Sequence, residues 1–237
     1  MPKINVYLPD DLADAVRDAG LPVSSICQRA LEQAVRRTTA IRQALLDDIR
    51  PDQLSARLPS FTARLVDAVT LAADRAKAAG HPHVTTADLL AGMIAEGGNL
   101  ALQILLALEV DPATLTVEAA AEPGPDEPGL RFSGPAAVAI ELAVGEAIGL
   151  GHNYVGCEHL LIALSAETDG AAGELLRARG ADGRATRRAV AAALAGYAHL
   201  RASTTAPALP PVVLTAFRAE LGPLIERIER LEANLAG

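Results

Sequence analysis

The chain has 237 residues, 50% apolar and 21% charged, which predicts one or two globular domains and excludes a disordered chain. With 21 Lys and Arg against 29 Asp and Glu, its net charge of −8 excludes a protein whose whole surface is a nucleic-acid glove. Two cysteines, Cys27 and Cys157, are too few for a disulfide framework and fit a reduced, cytoplasmic setting.

Residues 1–50 carry seven basic and seven acidic side chains, so the whole −8 lies downstream. KINVYL alternates, with Lys3, Asn5 and Tyr7 on one face and Ile4, Val6 and Leu8 on the other, which predicts a short strand ended by Pro9. Asp10 or Asp11 caps a helix that stops at Gly20, and Ser24 or Ser25 opens a second one after Pro22. Ile26, Cys27, Ala30, Leu31, Ala34 and Val35 form its apolar stripe. A lone strand is not stable by itself, and its simplest partner is the same strand of a second copy, so a homodimer or larger assembly is expected. Strand, helix, helix in this pattern resembles the ribbon-helix-helix fold of CcdA-type antitoxins and small repressors. The resemblance implies a two-stranded ribbon in the DNA major groove, with Lys3, Asn5 and Tyr7 facing base edges and Ser24 and Ser25 holding phosphate. A dimerisation module without DNA binding is the alternative, because Lys3 is the strand's only cation.

From residue 61 the chain repeats itself at an offset of 71, with 16 identities over 51 positions. Phe61 meets Phe132, Gly80-His81 meets Gly151-His152, Val84 meets Val155, and Leu89-Leu90 meets Leu160-Leu161. Repeat one (60–119) predicts helices near 62–79, from Thr85 or Thr86, over LALQILLAL after the GGN break, and over 112–121. Repeat two (132–200) predicts helices at 134–149, 157–166, 171–179 and 183–200, and AAEPGPDEPGLR (120–131) reads as the linker between them.

FTARLVDAVTLAADRAKAAGH and AIELAVGEAIGLGHNYVGCEHLLIAL carry a resemblance to the Clp amino-terminal repeat domain, the substrate-receiving part of Clp-type AAA+ unfoldases. It implies a pseudo-twofold eight-helix bundle in a stand-alone receptor without the motor. Some members bind phosphoarginine through the Glu and Thr of a GTEH motif. The positions that match here keep only Glu158 in repeat two and Thr86 in repeat one, beside Cys157 and Ala87. The family's groove for cyclic peptides maps to Phe61, Phe132 and Glu141, with a pair of core-filling phenylalanines as the alternative. His81 and His152 read as structural histidines near helix ends, or as a ligand pair.

A Pro-rich linker (202–211) precedes residues 212–236, where Leu214, Phe217, Leu221, Leu224, Ile228, Leu231 and Leu235 space as a heptad seam. That segment is either an intermolecular coiled coil or a helix folded back. No P-loop, HExxH, CxxC or GxSxG motif occurs, no metal or other cofactor is expected, no span suits a membrane, and no nucleophile–base pair argues for an enzyme. The expected architecture is therefore mainly α: a ribbon-helix-helix head, the Clp repeat bundle and a coiled-coil-like tail. The expected function is non-catalytic sequestration of cyclic peptides or marked proteins meant for the Clp unfoldase, with a DNA-binding, autorepressing head. The alternatives are an adaptor that docks on the unfoldase, and a repressor whose Clp domain is inert.

Overall fold

The computed structural model describes residues 4–117, 122–126 and 128–204. Lys3 and the heptad segment 212–236 lie outside the described residues.

Repeat one begins with α4 (Ala63–Ala78), after α1 (Asp10–Asp18), α2 (Val23–Leu46) and α3 (Leu54–Arg57). The Thr62 hydroxyl caps α4 by accepting from Leu65 N at 3.2 Å, and Gly80 ends the turn beyond it at φ 70°. The strand β1 (His83–Val84) leads into α5 (Thr86–Glu96). Thr85 and Asp88 close a capping box there, with Thr85 N donating to Asp88 at 3.0 Å and Asp88 N to the Thr85 hydroxyl at 3.2 Å. Left-handed Gly97 (φ 76°) ends α5, and α6 (Leu100–Ala107) follows. Of the helix expected over 112–121, the described part, 112–117, holds a single 3-10 turn at Pro112–Thr114. Leu115 turns into the core, and Arg75 Nη2 donates to the Val117 carbonyl at 2.7 Å, so the backbone bonds a helix would need are spent elsewhere.

Repeat two opens with β2 (Arg131–Phe132), then α7 (Gly134–Gly149), α8 (Cys157–Ala166), α9 (Ala171–Ala178) and α10 (Gly183–Thr204). The first three of these helices match their expected ranges to within a residue, and α10 runs on to Thr204. Gly151 (φ 76°) ends the turn after α7 as Gly80 does after α4.

The two repeats are joined by exchange. β1 pairs in parallel with β2, placing Val84 beside Phe132, and an isolated bridge places Phe61 beside Val155. Both pairs obey the 71-residue offset, so each repeat's leading Phe is held by the other repeat's Val. The bonds match too: Ser133 N donates to Val84 O at 3.0 Å, and Thr62 N to Val155 O at 2.9 Å. Around these crossings the core is built of small residues, with Ala68, Ala72, Ala73 and Ala76 of α4 buried against α5.

The amino-terminal region divides differently from the expectation. Residues 4–9 form no strand within one chain and make no backbone ladder with another described residue. α1 buries no side chain. In α2 the stripe read from the sequence does not meet this chain's core: Ile26, Leu31 and Val35 are exposed, whereas Ile41 and Leu45, further along, are buried. They pack toward α7 and β2, and Ile49 N donates to Leu130 O at 2.7 Å just beyond the helix. The helix therefore runs onto the repeat bundle without a linker.

A Cβ on Gly92 of α5 would lie 2.2 Å from Ala68 O and 2.8 Å from Ala72 N, both backbone atoms that cannot rotate away. Gly145 of α7 has nothing within 4 Å of the same position. Gly92→Ala should lower the unfolding free energy by about 1–3 kcal/mol or more through overpacking. Gly145→Ala should raise it by about 0.5–1 kcal/mol through helix entropy. Urea titration of both variants checks the opposite signs.

Candidate functional site

The first turns of α5 and α8 are equivalent positions that the sequence fills with different chemistry. In α8, His159 stands where Asp88 stands in α5, and does the same work: its Nδ1 accepts from Gly156 N at 2.9 Å. A backbone N–H can only donate, so His159 carries its proton on Nε2 and gives it to His152 Nδ1 at 2.8 Å. Tyr154 stacks on His152 with centroids 5.1 Å apart. His152 is thus part of the turn that carries Val155. Among the described residues no group of three His, Cys, Asp or Glu side chains is placed to hold a metal ion.

Glu158, the carboxylate expected to meet a guanidinium, is 6% exposed. Burial pushes its carboxyl above the usual carboxylate value, opposed by a hydrogen bond from its own backbone amide. Burial, with the charges of Glu158 and Glu96 adding to it, pushes the neighbouring Cys157 thiol up to about 12, so no reactive thiolate stands there. Thr86, the other expected partner, is fully buried, and its hydroxyl and N–H are both engaged by Glu122 of the inter-repeat segment. The two residues sit in the first turns of separate helices, each with its own set of partners.

Phe61 and Phe132 are buried within the crossings. Glu141 is different: it lies on α7 and pairs with Arg42 of α2 at 3.1 Å. Beside that pair a cavity of about 210 Å³ opens between the two helices, lined by Thr38, Ile41, Arg42, Glu141, Val144, Gly145 and Ile148. Along α7, Val138 (51%), Leu142 (41%) and Ile148 (41%) remain exposed, an apolar strip next to the cavity.

Of the residues expected to face DNA, Asn5 and Tyr7 are exposed, Tyr7 to 93%. Ser24 and Ser25 lie within the first turn of α2, with Pro22 at the cap position, and the Ser25 hydroxyl donates back to Pro22 O at 3.0 Å.

Sequence reasoning missed Glu122, Ser133 and Arg42. Arg42 had no signal, since its partner is 99 positions away. Glu122 sat in a Pro/Gly-rich stretch with no periodicity, and Ser133 matched Thr62 in the repeat without being weighed.

The crossings define a domain built from two cross-paired helical repeats. The Clp repeat (R) N-terminal domain family matches residues 60–178 and 131–218, more than half of the chain, and the chain belongs to that family. An uncharacterized protein of Mycobacterium tuberculosis is 41% identical over 112 residues, covering 46% of this chain and 44% of that protein. Chaperone protein ClpC1, chloroplastic, of rice (Oryza sativa subsp. japonica) is 35% identical over 137 residues, covering 54% of this chain and 14% of the chaperone. The N-terminal domain of the chaperone ClpD of Arabidopsis thaliana aligns in structure at 22% identity and TM-score 0.43, over 57% of this chain and 95% of that domain. The chain thus spans less than half the length of the curated relatives named here, and the family it matches is an N-terminal repeat domain.

Glu158 yields a pH test. Its pKa is raised in the folded chain, so between its ordinary value of 4.5 and the raised one the folded chain holds a proton that the unfolded chain has lost. Stability from this group therefore falls as pH rises through that window. Glu158→Gln should flatten the fall: melting temperatures of variant and parent should diverge in the variant's favour from pH 4 toward pH 7, by thermal unfolding across that range.

Proposed function

We propose that the repeat bundle is a non-catalytic, cytoplasmic receptor that holds the ligands Clp unfoldase N-terminal domains take up, cyclic peptides or marked proteins, and so regulates Clp proteolysis by sequestration. The observation that carries this reading is the open apolar strip of α7 beside the Arg42–Glu141 pair and its cavity, in a chain of this family. About 210 Å³ is smaller than the ~300–1,000 Å³ that encloses a drug-sized ligand. It suits one or two side chains of a ligand lying across Val138, Leu142 and Ile148, with Glu141 and Arg42 supplying polar contacts. In this reading Phe61 and Phe132, buried in the crossings, are not part of the face. Glu158 and Thr86 stand outside it, so affinity for phosphoarginine at those residues is not required. An adaptor would use the same face but dock on the unfoldase, and would co-purify with it.

Fluorescence anisotropy of a labelled, apolar cyclic heptapeptide tests this. Saturable binding to the full chain that Leu142→Arg weakens at least tenfold, with an unchanged melting temperature, is the expected result. No saturable binding to the parent chain would overturn it.

A second reading concerns the head and has its own support. Ile4 (80%), Val6 (64%), Leu21 (48%), Ile26 (49%), Leu31 (53%) and Val35 (64%) are too many exposed apolar side chains for a region finished within one chain. A second copy would cover them and complete the strand as a ribbon-helix-helix dimer. Its ribbon would present Lys3, Asn5 and Tyr7 to DNA, and Ser24 and Ser25 to phosphate, in repression of the chain's own gene. Sedimentation equilibrium should then show a dimer that Val6→Lys dissociates. A monomer at micromolar concentration would remove this reading and leave the receptor reading standing.

A further inference from the structure

Residues 177–188 hold five arginines, Arg177, Arg179, Arg184, Arg187 and Arg188, against one acid, Asp182, in a chain whose net charge is −8. Gly180, at φ 89°, turns the chain between the end of α9 and the start of α10, so all five belong to one corner of repeat two.

Two of the five are spent inside the fold. Arg177 Nη1 donates to the carbonyls of Ser165, at 3.3 Å, and of Glu167. Arg187 Nη1 pairs with Glu146 of α7 at 2.9 Å. The other three are exposed and keep their charge. Arg179 Nη1 donates to the Thr114 hydroxyl at 3.0 Å, a neutral acceptor that ties this corner to repeat one. Arg184 and Arg188 make no ion pair among the described residues and feel only the field of Asp182. That carboxylate is itself spent as a cap, its Oδ1 accepting from Ala185 N at 2.8 Å and Arg184 N at 2.9 Å. The Ala185 amide first, then the Arg184 amide and the charges of Arg188 and Arg184, hold its carboxyl below the ordinary value.

The placement of these cations runs against helix electrostatics. A helix N-terminus is positive and favours acids. α1, α5, α8 and α9 follow the rule, with Asp10 and Asp11, Asp88, Glu158 and Glu174 in their first turns. α10 has no acid there and carries Arg184 instead, with Arg187 and Arg188 a turn further on. Nor do Arg184 and Arg188 pack the core. Thr186 and Val190 form the buried face of α10, and at about 100° per residue both arginines stand roughly 160° around the helix from Thr186. Charge held against the dipole and outside the core gains nothing within the fold, which marks a surface kept for contact.

We propose that Arg179, Arg184 and Arg188 form a docking surface for an acidic peptide segment of a partner protein. Arg184 and Arg188 lie one turn apart, about 6 Å along the axis. A partner helix with carboxylates at i and i+4 repeats that spacing, and each guanidinium fork can hold a carboxylate through two N–H donors. A nucleic-acid backbone is charged along its whole length and would meet the chain's net −8 beyond these three cations, whereas a short acidic segment need meet only this corner. The surface shares no residue with the apolar strip of α7, and the proposal does not rest on what binds there.

The test is fluorescence anisotropy of the full chain at low ionic strength, with a labelled helical peptide that carries Glu at every fourth position. Saturable binding is expected, lost when Gln replaces the peptide's Glu residues and weakened at least tenfold by Arg184→Glu/Arg188→Glu in a natively folded chain. Arg29→Glu/Arg36→Glu makes the same change of charge on exposed positions of α2 and should leave the affinity within twofold. No saturable binding would overturn the proposal. Equal weakening by both pairs would overturn it too, by showing attraction to overall charge alone. Tighter binding of a labelled oligothymidylate through the same two arginines would overturn it in favour of nucleic acid. If Arg184→Glu/Arg188→Glu fails to fold, Arg184→Gln/Arg188→Gln removes the charge without adding acids beside Asp182. It should then weaken binding at least threefold, and unchanged binding would count against the proposal equally.

Discussion

Two short crossings, Val84 with Phe132 and Phe61 with Val155, hold the repeats in one body. Each is only a residue or two of parallel pairing, too little to be stable as a sheet. What stabilises them is their position: each buries a phenylalanine under the start of a helix and aligns the backbone that leads into it. Because each repeat supplies the Phe for one crossing and the Val for the other, neither repeat completes its own core. A duplicated sequence has become a single cooperative unit rather than two beads.

That exchange also decides where polar chemistry gathers. It directs helix N-termini from different repeats toward shared space, and their unsatisfied N–H groups must find acceptors. At α5 the acceptors are Asp88 and Glu122, and at α8 they are His159 and the Glu158 carboxyl folded over its own amide. Thr86 and Glu158, the positions that the resemblance marks for phosphoarginine, are engaged within this chain, Thr86 by Glu122 and Glu158 beside His159. The surface left open is elsewhere, along α7, where Arg42 meets Glu141 and apolar residues stay exposed. Val138, Leu142 and Ile148 leave apolar area uncovered there.

Much of the bundle was legible in the sequence because its signals are local. The 71-residue offset survives in Gly80-His81 and Gly151-His152, since a left-handed glycine after a helix is hard to replace. Thr85 announced the start of α5 by its capping chemistry, and GGN announced its end. The crossings themselves left no pattern, because a two-residue bridge has no alternation to read. The docking of α2 was not legible for a related reason. Two apolar stripes run along that helix, and only tertiary partners distinguish the one that meets α7, Ile41 and Leu45, from the one that stays bare, Ile26, Leu31 and Val35. Glu122 was invisible for the opposite cause: its meaning lies wholly in donors contributed by residues 86, 133 and 171.

The central claim, that the repeats unfold as one because each closes the other, is tested most directly by native-state hydrogen exchange at the crossings. The amides of Thr62 and Val155 report one crossing and that of Ser133 the other. The account predicts that all three exchange with the same opening free energy, equal to that of global unfolding, and with the same dependence on denaturant. Exchange of Thr62 and Val155 through a smaller opening, while Ser133 stays protected, would show that the crossings open separately and would contradict it.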